Sequence, residues 1–417
     1  MVFDVGLENR RRPGAGNGSC RRVLVAAFGD AGHAFPAIGL ARALVERGHD
    51  VWVETWERWG EAVEAQGLHF TAAEEYMTFP PPPPGSRDHP SAGDAAVALL
   101  PWLEEQSFDV VVSDILTQAP ALAAERAGVR WATLIPHVYP VHEAGLPFFG
   151  FGAMPARTSP GRAFWRRALP VLIAGLEQGR ADLNLSRAMV GLPPTQRLHG
   201  GISPELALVG TFPQLEYPRR WPAHVRVIGP VGFELPFEDV ELPKGREPLV
   251  LVAPSTAQDP DCRLLRVALE ALAEEPVRVI ATTNRHRPTV PLPAPPANAV
   301  LVDWLSYSQV MAAADLVICH GGHGTVARAL GAGVPVLCCP AGGDMVENGA
   351  RAQWAGAGLT LPWRLTRPGA LRLLVRRLLE EPRFAARAQE IAAWGRENEG
   401  AVRGAEAVER LAESPNR

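Results

Sequence analysis

The sequence lacks features that mark several large classes of protein. Its five cysteines form no C-x-x-C pair, and Cys319, Cys338 and Cys339 stand in apolar, strand-like runs, so reduced, buried cysteine in a cytoplasmic protein is expected. No apolar run approaches the ~20 residues that a membrane-spanning helix needs. The net charge of −4 gives no reason to expect a nucleic acid as partner.

A dinucleotide fingerprint, a Walker lysine and a secretory signal are also missing. Gly29 and Gly32 do not make the G-x-G-x-x-G motif, which disfavours an NAD-dependent oxidoreductase, and the glycine-rich turn at 320–325 lacks the lysine of a P-loop. Residues 1–20 contain three consecutive arginines but no apolar segment of the kind found in signal peptides. A flexible leader is expected there.

The sequence does contain a regular alternation of strand and helix patterns. A chain of 417 residues is too long for one ordinary core, so two domains are expected. The first unit predicts a strand at 22–28, a glycine-containing loop at 29–35, a helix at 37–47 with Pro36 in its first turn, and a strand at 50–54.

The alternation fades in an acidic, proline-punctuated segment and restarts with an apolar run at Leu249–Ala253. Repeated strand–helix–strand units predict an α/β fold of two doubly wound, Rossmann-like domains that face a cleft. The predicted division is a leader at 1–20, a first domain at 21–232, a linker at 233–247, a second domain at 248–395 and a C-terminal helix at 396–417.

The most informative stretch is the turn between an apolar run at Leu316–Cys319 and an Ala/Leu-rich helical pattern. It reads His320-Gly321-Gly322-His323-Gly324-Thr325. A glycine-rich turn before a helix lets backbone N–H groups approach an anion, and the helix dipole favours negative charge there. The turn therefore predicts a phosphate site at the carboxyl end of a strand.

This turn resembles the donor-sugar motif of inverting GT-B glycosyltransferases. H-G-G-x-G-T is followed by G-V-P at 333–335 and by D-x-x-x-N at 344–348, and the chain looks like the bacterial natural-product enzymes that glycosylate antibiotics and macrolides from UDP- or dTDP-sugars. The resemblance implies an acceptor-binding first domain, a donor-binding second domain, and a C-terminal helix that crosses back onto the first domain. It implies transfer of a hexose to a hydroxyl of a polyketide, macrolide or phenolic.

The resemblance also assigns donor contacts. The glycine turn and His320 would bind the diphosphate, Trp304 would stack on the nucleobase, and the segment from Asp344 through Glu347 to Asn348 would hold the sugar hydroxyls. The full set is Ser255, Thr256, Trp304, His320, Gly322, His323, Gly324, Thr325, Asp344, Met345 and Asn348. Taken singly, Trp304 is more typical of a core position than of a binding site, and Asp344, Asn348, Ser255 and Thr256 suit turns or helix caps.

The sequence departs from the family pattern at two positions. Met345 follows Asp344 where many members have glutamine, so one sugar hydrogen bond is missing or supplied elsewhere. Arg328 stands where users of UDP-sugars often carry a ribose-binding glutamate. We therefore expect dTDP-sugars to be at least as acceptable as UDP-sugars.

A D-x-D pattern, Asp259-Pro260-Asp261, superficially matches the metal motif of another glycosyltransferase fold. Its position just before a predicted helix favours a capping role instead. The resemblance implies that no metal and no cofactor are needed, the nucleotide sugar being a co-substrate.

The resemblance identifies a catalytic pair in the first domain. Gly32-His33, with Pro36 three residues beyond the histidine, resembles the family's G-H-x-x-P segment, in which the histidine is the general base. Asp114, which follows the predicted strand at 108–113, resembles the aspartate that orients that base. Taken singly, His33 suits a loop histidine and Asp114 a helix N-cap.

The acceptor wall is expected among aromatic residues in irregular parts of the first domain, because small-molecule pockets are mostly apolar. The candidates are Tyr76, Phe79, His137, Phe148, Phe149, Phe151 and Trp165; each could equally pin a loop to the core. Two alternatives stay open: a lipid acceptor, suggested by Arg162, Arg166 and Arg167, and a non-catalytic partner protein with the same fold. A monomer or homodimer is expected.

Overall fold

The computed structural model describes residues 20–73, 91–236, 240–254, 259–285 and 288–414, which form two parallel sheets covered by helices. Four of the predicted ligand-binding residues, Tyr76, Phe79, Ser255 and Thr256, lie outside the described ranges. The prediction of two doubly wound α/β domains is confirmed.

The first domain contains a seven-stranded parallel sheet in the order β3-β2-β1-β4-β5-β6-β7. Its elements along the chain are β1 (Arg22–Ala26), α1 (Ala31–Glu46), β2 (Asp50–Thr55), α2 (Gly60–Glu64), β3 (His69–Ala72), α3 (Ala92–Gln106), β4 (Val110–Asp114), α4 (Gln118–Ala127), β5 (Arg130–Ile135), α5 (Ser159–Met189), β6 (Ala207–Val209) and β7 (Val225–Val227). Short 3₁₀ turns occur at Glu57–Trp59 and Pro213–Leu215.

The second domain contains a six-stranded parallel sheet in the order β10-β9-β8-β11-β12-β13. Its elements are β8 (Leu249–Ala253), α6 (Arg263–Leu272), β9 (Arg278–Thr282), β10 (Ala299–Val302), α7 (Tyr307–Ala313), β11 (Leu316–Cys319), α8 (His323–Gly331), β12 (Val336–Cys338), α9 (Met345–Ala355), β13 (Gly358–Thr360), α10 (Pro368–Glu380) and α11 (Pro382–Glu397), followed by α12 (Gly400–Glu413). A 3₁₀ turn lies at Trp363–Leu365.

The central strands are apolar on both faces because helices cover both sides of each sheet. In β1, Val23 and Val25 pack with α1 and α12, whereas Leu24 packs with the cluster formed by α3 and α4. This double coverage explains why continuous apolar runs, rather than alternating patterns, marked these strands in the sequence.

The glycine-containing loop predicted at 29–35 is wrong. The helix α1 begins at Ala31, where the Asp30 side chain accepts a hydrogen bond from the Ala31 N–H, and Pro36 lies inside the helix rather than in its first turn. The Asp30 carbonyl accepts from the N–H groups of His33 and Ala34, which starts the helix early. His33 therefore projects from the first turn of α1.

The C-terminal helix α12 packs against α1 of the first domain, as predicted from the resemblance. Ala405, Val408 and Leu411 belong to the same apolar core as β1 and α1, and Glu409 accepts two hydrogen bonds of 2.7 Å from Arg47. Among the residues that the structure describes, no helix is both long and apolar enough to cross a membrane.

Candidate active site

His33 and Asp114 meet at the carboxyl edge of the first sheet. The strands β1 and β4 are adjacent, so the start of α1 and the end of β4 lie side by side. The His33 Nδ1 is 2.8 Å from the Asp114 Oδ1, and the Asp114 Oδ2 accepts from the Leu116 N–H at 3.2 Å. Asp114 is 1% exposed, so its carboxylate is shielded from water by protein.

The environment of His33 favours its protonated form. Burial lowers the pKa of His33, but the charge and the hydrogen bond of Asp114 outweigh burial, helped by the charges of Asp30 and Asp344, and the pKa is raised above its ordinary value. Because a carboxylate only accepts, Nδ1 carries a proton and Nε2 is the nitrogen that can take one up.

Two aromatic rings lie edge-on to His33. Phe28 lies edge-on at 6.2 Å between ring centroids, and His137 lies edge-on at 6.1 Å. His137 donates from Nδ1 to the Val138 carbonyl at 2.8 Å and stacks on Phe149 at 5.5 Å. Burial, then the positive charge of His33, lowers the pKa of His137, so this second imidazole is neutral beside the first.

The other predicted aromatic residues of the acceptor wall pack on one another. Phe148 contacts Phe151 at 5.7 Å and Trp165 at 5.3 Å between ring centroids. Phe148 is buried, whereas Phe151 is 67% exposed. Phe148 therefore anchors the loop, and Phe151 and Trp165 present ring surface to solvent.

Trp56 and Glu54 also lie at this edge of the sheet, and neither is among the site residues predicted from the sequence. Trp56 contacts Phe28 at 5.0 Å and lies over Gly29, where a Cβ would be 1.9 Å from the Trp56 Cγ. Glu54 ends in a buried Oε2 with no hydrogen-bond partner among the described residues, and burial raises its pKa to about 7. Their signal was position, since Glu54 lies near the end of the neighbouring strand β2 and Trp56 follows that strand.

The glycine-rich turn at 320–325 has a backbone conformation that requires glycine. Gly321 adopts φ +86°, and a Cβ there would be 2.8 Å from the Met345 carbonyl oxygen. Gly322 precedes the first residue of α8, and space beside Gly322 and Gly324 is open. The first turn of α8, which includes the half-buried Thr325, is therefore accessible to a ligand.

His320, which ends the strand run before that turn, is buried against Asp259. The His320 Nε2 lies 3.2 Å from the Asp259 Oδ2, and the carboxylate also accepts from the backbone N–H groups of Arg263 and Leu264 at 2.9 Å each. Asp259 thus caps α6, while Asp261 accepts from the Thr289 hydroxyl. Within the described residues no group of three or more His, Cys, Asp or Glu side chains forms a metal site.

His323, the first residue of α8, faces the first domain. Its Nε2 is 3.0 Å from the hydroxyl oxygen of Thr211. Burial lowers the pKa of His323 to about 3, and the neighbouring imidazoles of His137 and His33 lower it further. The ring is neutral and bridges the two domains near His33.

Asp344 and Asn348 form a polar pair at the start of α9. The Asn348 Nδ2 donates to the Asp344 Oδ2 at 3.0 Å, and the Asn348 Oδ1 is buried with no hydrogen-bond partner among the described residues. Asp344 occupies the capping position, but its side chain does not bond to a helix N–H. The negative charge of Asp344 helps to raise the pKa of His33 across the cleft. The Met345 carbonyl lies against Gly321 of the glycine-rich turn.

The sequence suggested that Glu347 belongs to the sugar-binding segment, but its carboxylate is buried against other groups. It is 1% exposed, accepts from Arg351 Nε at 2.8 Å, and accepts from the N–H groups of Gly150 and Gly152 in the first domain at 3.2 and 3.3 Å. These three hydrogen bonds engage the Glu347 carboxylate and connect α9 to the first domain.

Trp304 follows β10 and is half-buried, so the alternative that it lies in the core is wrong. The Arg285 guanidinium lies 4.7 Å from the centroid of the Trp304 ring. The preceding Asp303 accepts from the Thr283 hydroxyl at 3.3 Å.

Comparison with known proteins places the chain among sugar-transferring enzymes of antibiotic biosynthesis. Residues 266–413 match the family described as erythromycin biosynthesis protein CIII-like, C-terminal domain. The 4'-demethylrebeccamycin synthase of Lentzea aerocolonigenes is 30% identical over 407 residues, which cover 89% of this chain and 94% of that protein.

Solved structures show the same fold. The glycotransferase of kitacinnamycin superposes with a TM-score of 0.75 at 22% identity, covering 94% of this chain and 99% of that one. The glycosyltransferase VinC in complex with dTDP superposes with a TM-score of 0.67 at 20% identity, covering 94% and 99%.

Proposed function

The chain belongs to the antibiotic and macrolide glycosyltransferases of the GT-B fold, and from that premise we propose that it transfers a hexose from a UDP- or dTDP-sugar, with inversion, to a hydroxyl of a small apolar or aromatic natural product. The observation that carries the proposal is the hydrogen bond of 2.8 Å between His33 and the buried Asp114. An alcohol is a poor nucleophile at neutral pH, and a positioned base typically accelerates its attack ~10²–10⁴-fold.

In the proposed reaction, the His33 Nε2 takes the proton of the acceptor hydroxyl as its oxygen attacks the anomeric carbon. The bond from that carbon to the diphosphate oxygen breaks on the opposite face, which inverts the configuration. The imidazolium that forms is stabilised by Asp114, which the raised pKa of His33 reflects.

The start of α8 supports the donor half of the proposal. Backbone N–H groups at a helix N-terminus stabilise a diphosphate as it departs, and open space beside Gly322 and Gly324 admits it. His320 and Thr325 flank the same turn. Because the N-terminus of α8 supplies positive potential itself, we propose that the reaction needs no metal ion.

Arg328 supports the use of dTDP-sugars. It donates to the Phe233 carbonyl of the linker, so the position at which UDP-sugar users often carry a glutamate holds a cation that is already engaged elsewhere. A carboxylate that recognises a ribose 2′-hydroxyl is therefore missing at this position. The related structure named above binds dTDP.

The rings around His33 support a flat, apolar acceptor. Phe28, which contacts Trp56, and His137, which stacks on Phe149, both lie edge-on to the proposed catalytic histidine. Such walls suit a polyketide or phenolic ring system whose hydroxyl reaches Nε2.

A lipid acceptor is the second candidate because α5 exposes apolar and basic groups together. Phe164 is 61% exposed, and Arg162, Arg166 and Arg167 beside it are exposed too. Glycosylation of a lipid phenol in vesicles, but not of a soluble phenol, would favour this candidate.

The test is a turnover assay. UDP- and dTDP-hexoses are incubated with flat phenolic and polyketide acceptors, and products are measured by mass spectrometry. His33→Ala should reduce transfer at least ~100-fold while leaving nucleotide affinity nearly unchanged. His69→Ala, at a histidine whose side chain is 57% exposed, is the matched control and should transfer normally. No binding of either nucleotide and no product would overturn the proposal, as would full activity of His33→Ala.

A further inference from the structure

Asp259 makes more contacts than a helix cap requires. The residue at the capping position of α6 is Cys262, which has φ +49° and no side-chain cap bond. Asp259, which precedes Cys262 in the chain, caps the helix instead by accepting from the N–H groups of Arg263 and Leu264. Two acceptor bonds would satisfy a cap, yet the same carboxylate also binds His320.

The contact with His320 is buried and fixes the imidazole. The side chains of Asp259 and His320 are 3% and 2% exposed, and their atoms Oδ2 and Nε2 are 3.2 Å apart. Burial raises the pKa of Asp259, but the His320 hydrogen bond and the two backbone N–H groups outweigh burial and lower it. The group is therefore an ionised acceptor, so Nε2 of His320 must carry the proton.

The other side of the imidazole is enclosed as well. The Trp363 ring lies 5.4 Å from the His320 ring at an angle of 42°. The Arg263 guanidinium lies 4.8 Å from the Trp363 centroid and donates to the Thr366 carbonyl at 2.9 Å. The carboxylate and the indole together hold His320 in one orientation, one residue before the glycine turn.

We propose that Asp259 is a positioning residue for the donor diphosphate, acting through His320. By holding the imidazole beside a carboxylate and an indole, it fixes the residue from which the glycine turn starts, where the leaving group gains charge. A preorganised group needs no reorientation during the reaction, which is the condition under which electrostatic stabilisation is largest. The inference rests on the proposed function, because it presumes a nucleotide diphosphate at α8.

The experiment measures the dissociation constants of dTDP and thymidine by calorimetry for the wild type, Asp259→Asn, His320→Ala and the double variant. We expect Asp259→Asn to weaken dTDP about tenfold, leave thymidine unchanged, and have no further effect in the His320→Ala background. Asp261→Asn, in the same loop but exposed, is the matched control and should bind as wild type.

The other outcomes distinguish a positioning role of Asp259 from helix capping alone. Equal weakening of dTDP and thymidine, or the same loss with and without His320, would show that Asp259 only caps α6 and would overturn the inference. Thymidine binding also reports whether the variants are folded. His320→Gln tests the same contact by changing the partner of Asp259. If wild type binds neither dTDP nor UDP, the proposed function fails instead.

Discussion

Removal of the Asp114 carboxylate tests the catalytic pair most directly. Asp114→Ala deletes a buried acceptor 2.8 Å from the His33 Nδ1. A hydrogen bond to a charged partner contributes about 1.5–3 kcal/mol, which corresponds to a roughly 10- to 150-fold loss of kcat. The loss should be smaller than that of His33→Ala, because the base itself remains.

The pH dependence separates this role from simple damage. A general base must be unprotonated, so the rate rises with pH through the pKa of His33, which Asp114 raises above its ordinary value. Without Asp114 only burial and weaker charges remain, the pKa falls, and the acid limb of kcat/KM should move to lower pH. An unshifted limb with normal nucleotide binding would refute the reasoning.

Two further predictions concern the donor and the domain junction. dTDP should bind at least as tightly as UDP because Arg328 offers no carboxylate to a ribose; a UDP dissociation constant more than tenfold lower would contradict this. Arg351→Met should lower the free energy of unfolding, measured in urea, by about 3–5 kcal/mol, because the buried carboxylates of Glu347 and Glu216 lose their guanidinium partner. Arg377→Met, at an exposed pair, is the control and should change little.

Sequence patterns located strands better than helix starts. The apolar runs at Leu249–Ala253 and Leu316–Cys319 correspond to β8 and β11 residue for residue, because a strand buried on both faces must be apolar throughout. The start of α1 was missed because glycine and proline usually break helices. The Asp30 cap and the two bonds to its carbonyl override that tendency.

The site was predictable where chemistry follows a strand end and unpredictable where it depends on distant partners. Asp114 could be located because it closes a buried strand. The contacts of Glu347 with Gly150 and of Asp259 with His320 join residues 197 and 61 positions apart. No local pattern records such pairs, so Glu347 was assigned to the sugar site and Asp259 to a cap alone.

The proposed base and the proposed donor site influence each other electrostatically across the cleft. Asp344 of the second domain contributes to the raised pKa of His33, and His323 of the second domain bonds to Thr211 of the first. A diphosphate at α8 would add negative charge on the same side and would favour protonated His33 further. In the proposed reaction, the imidazolium that forms on His33 would therefore be stabilised more when the donor is in place.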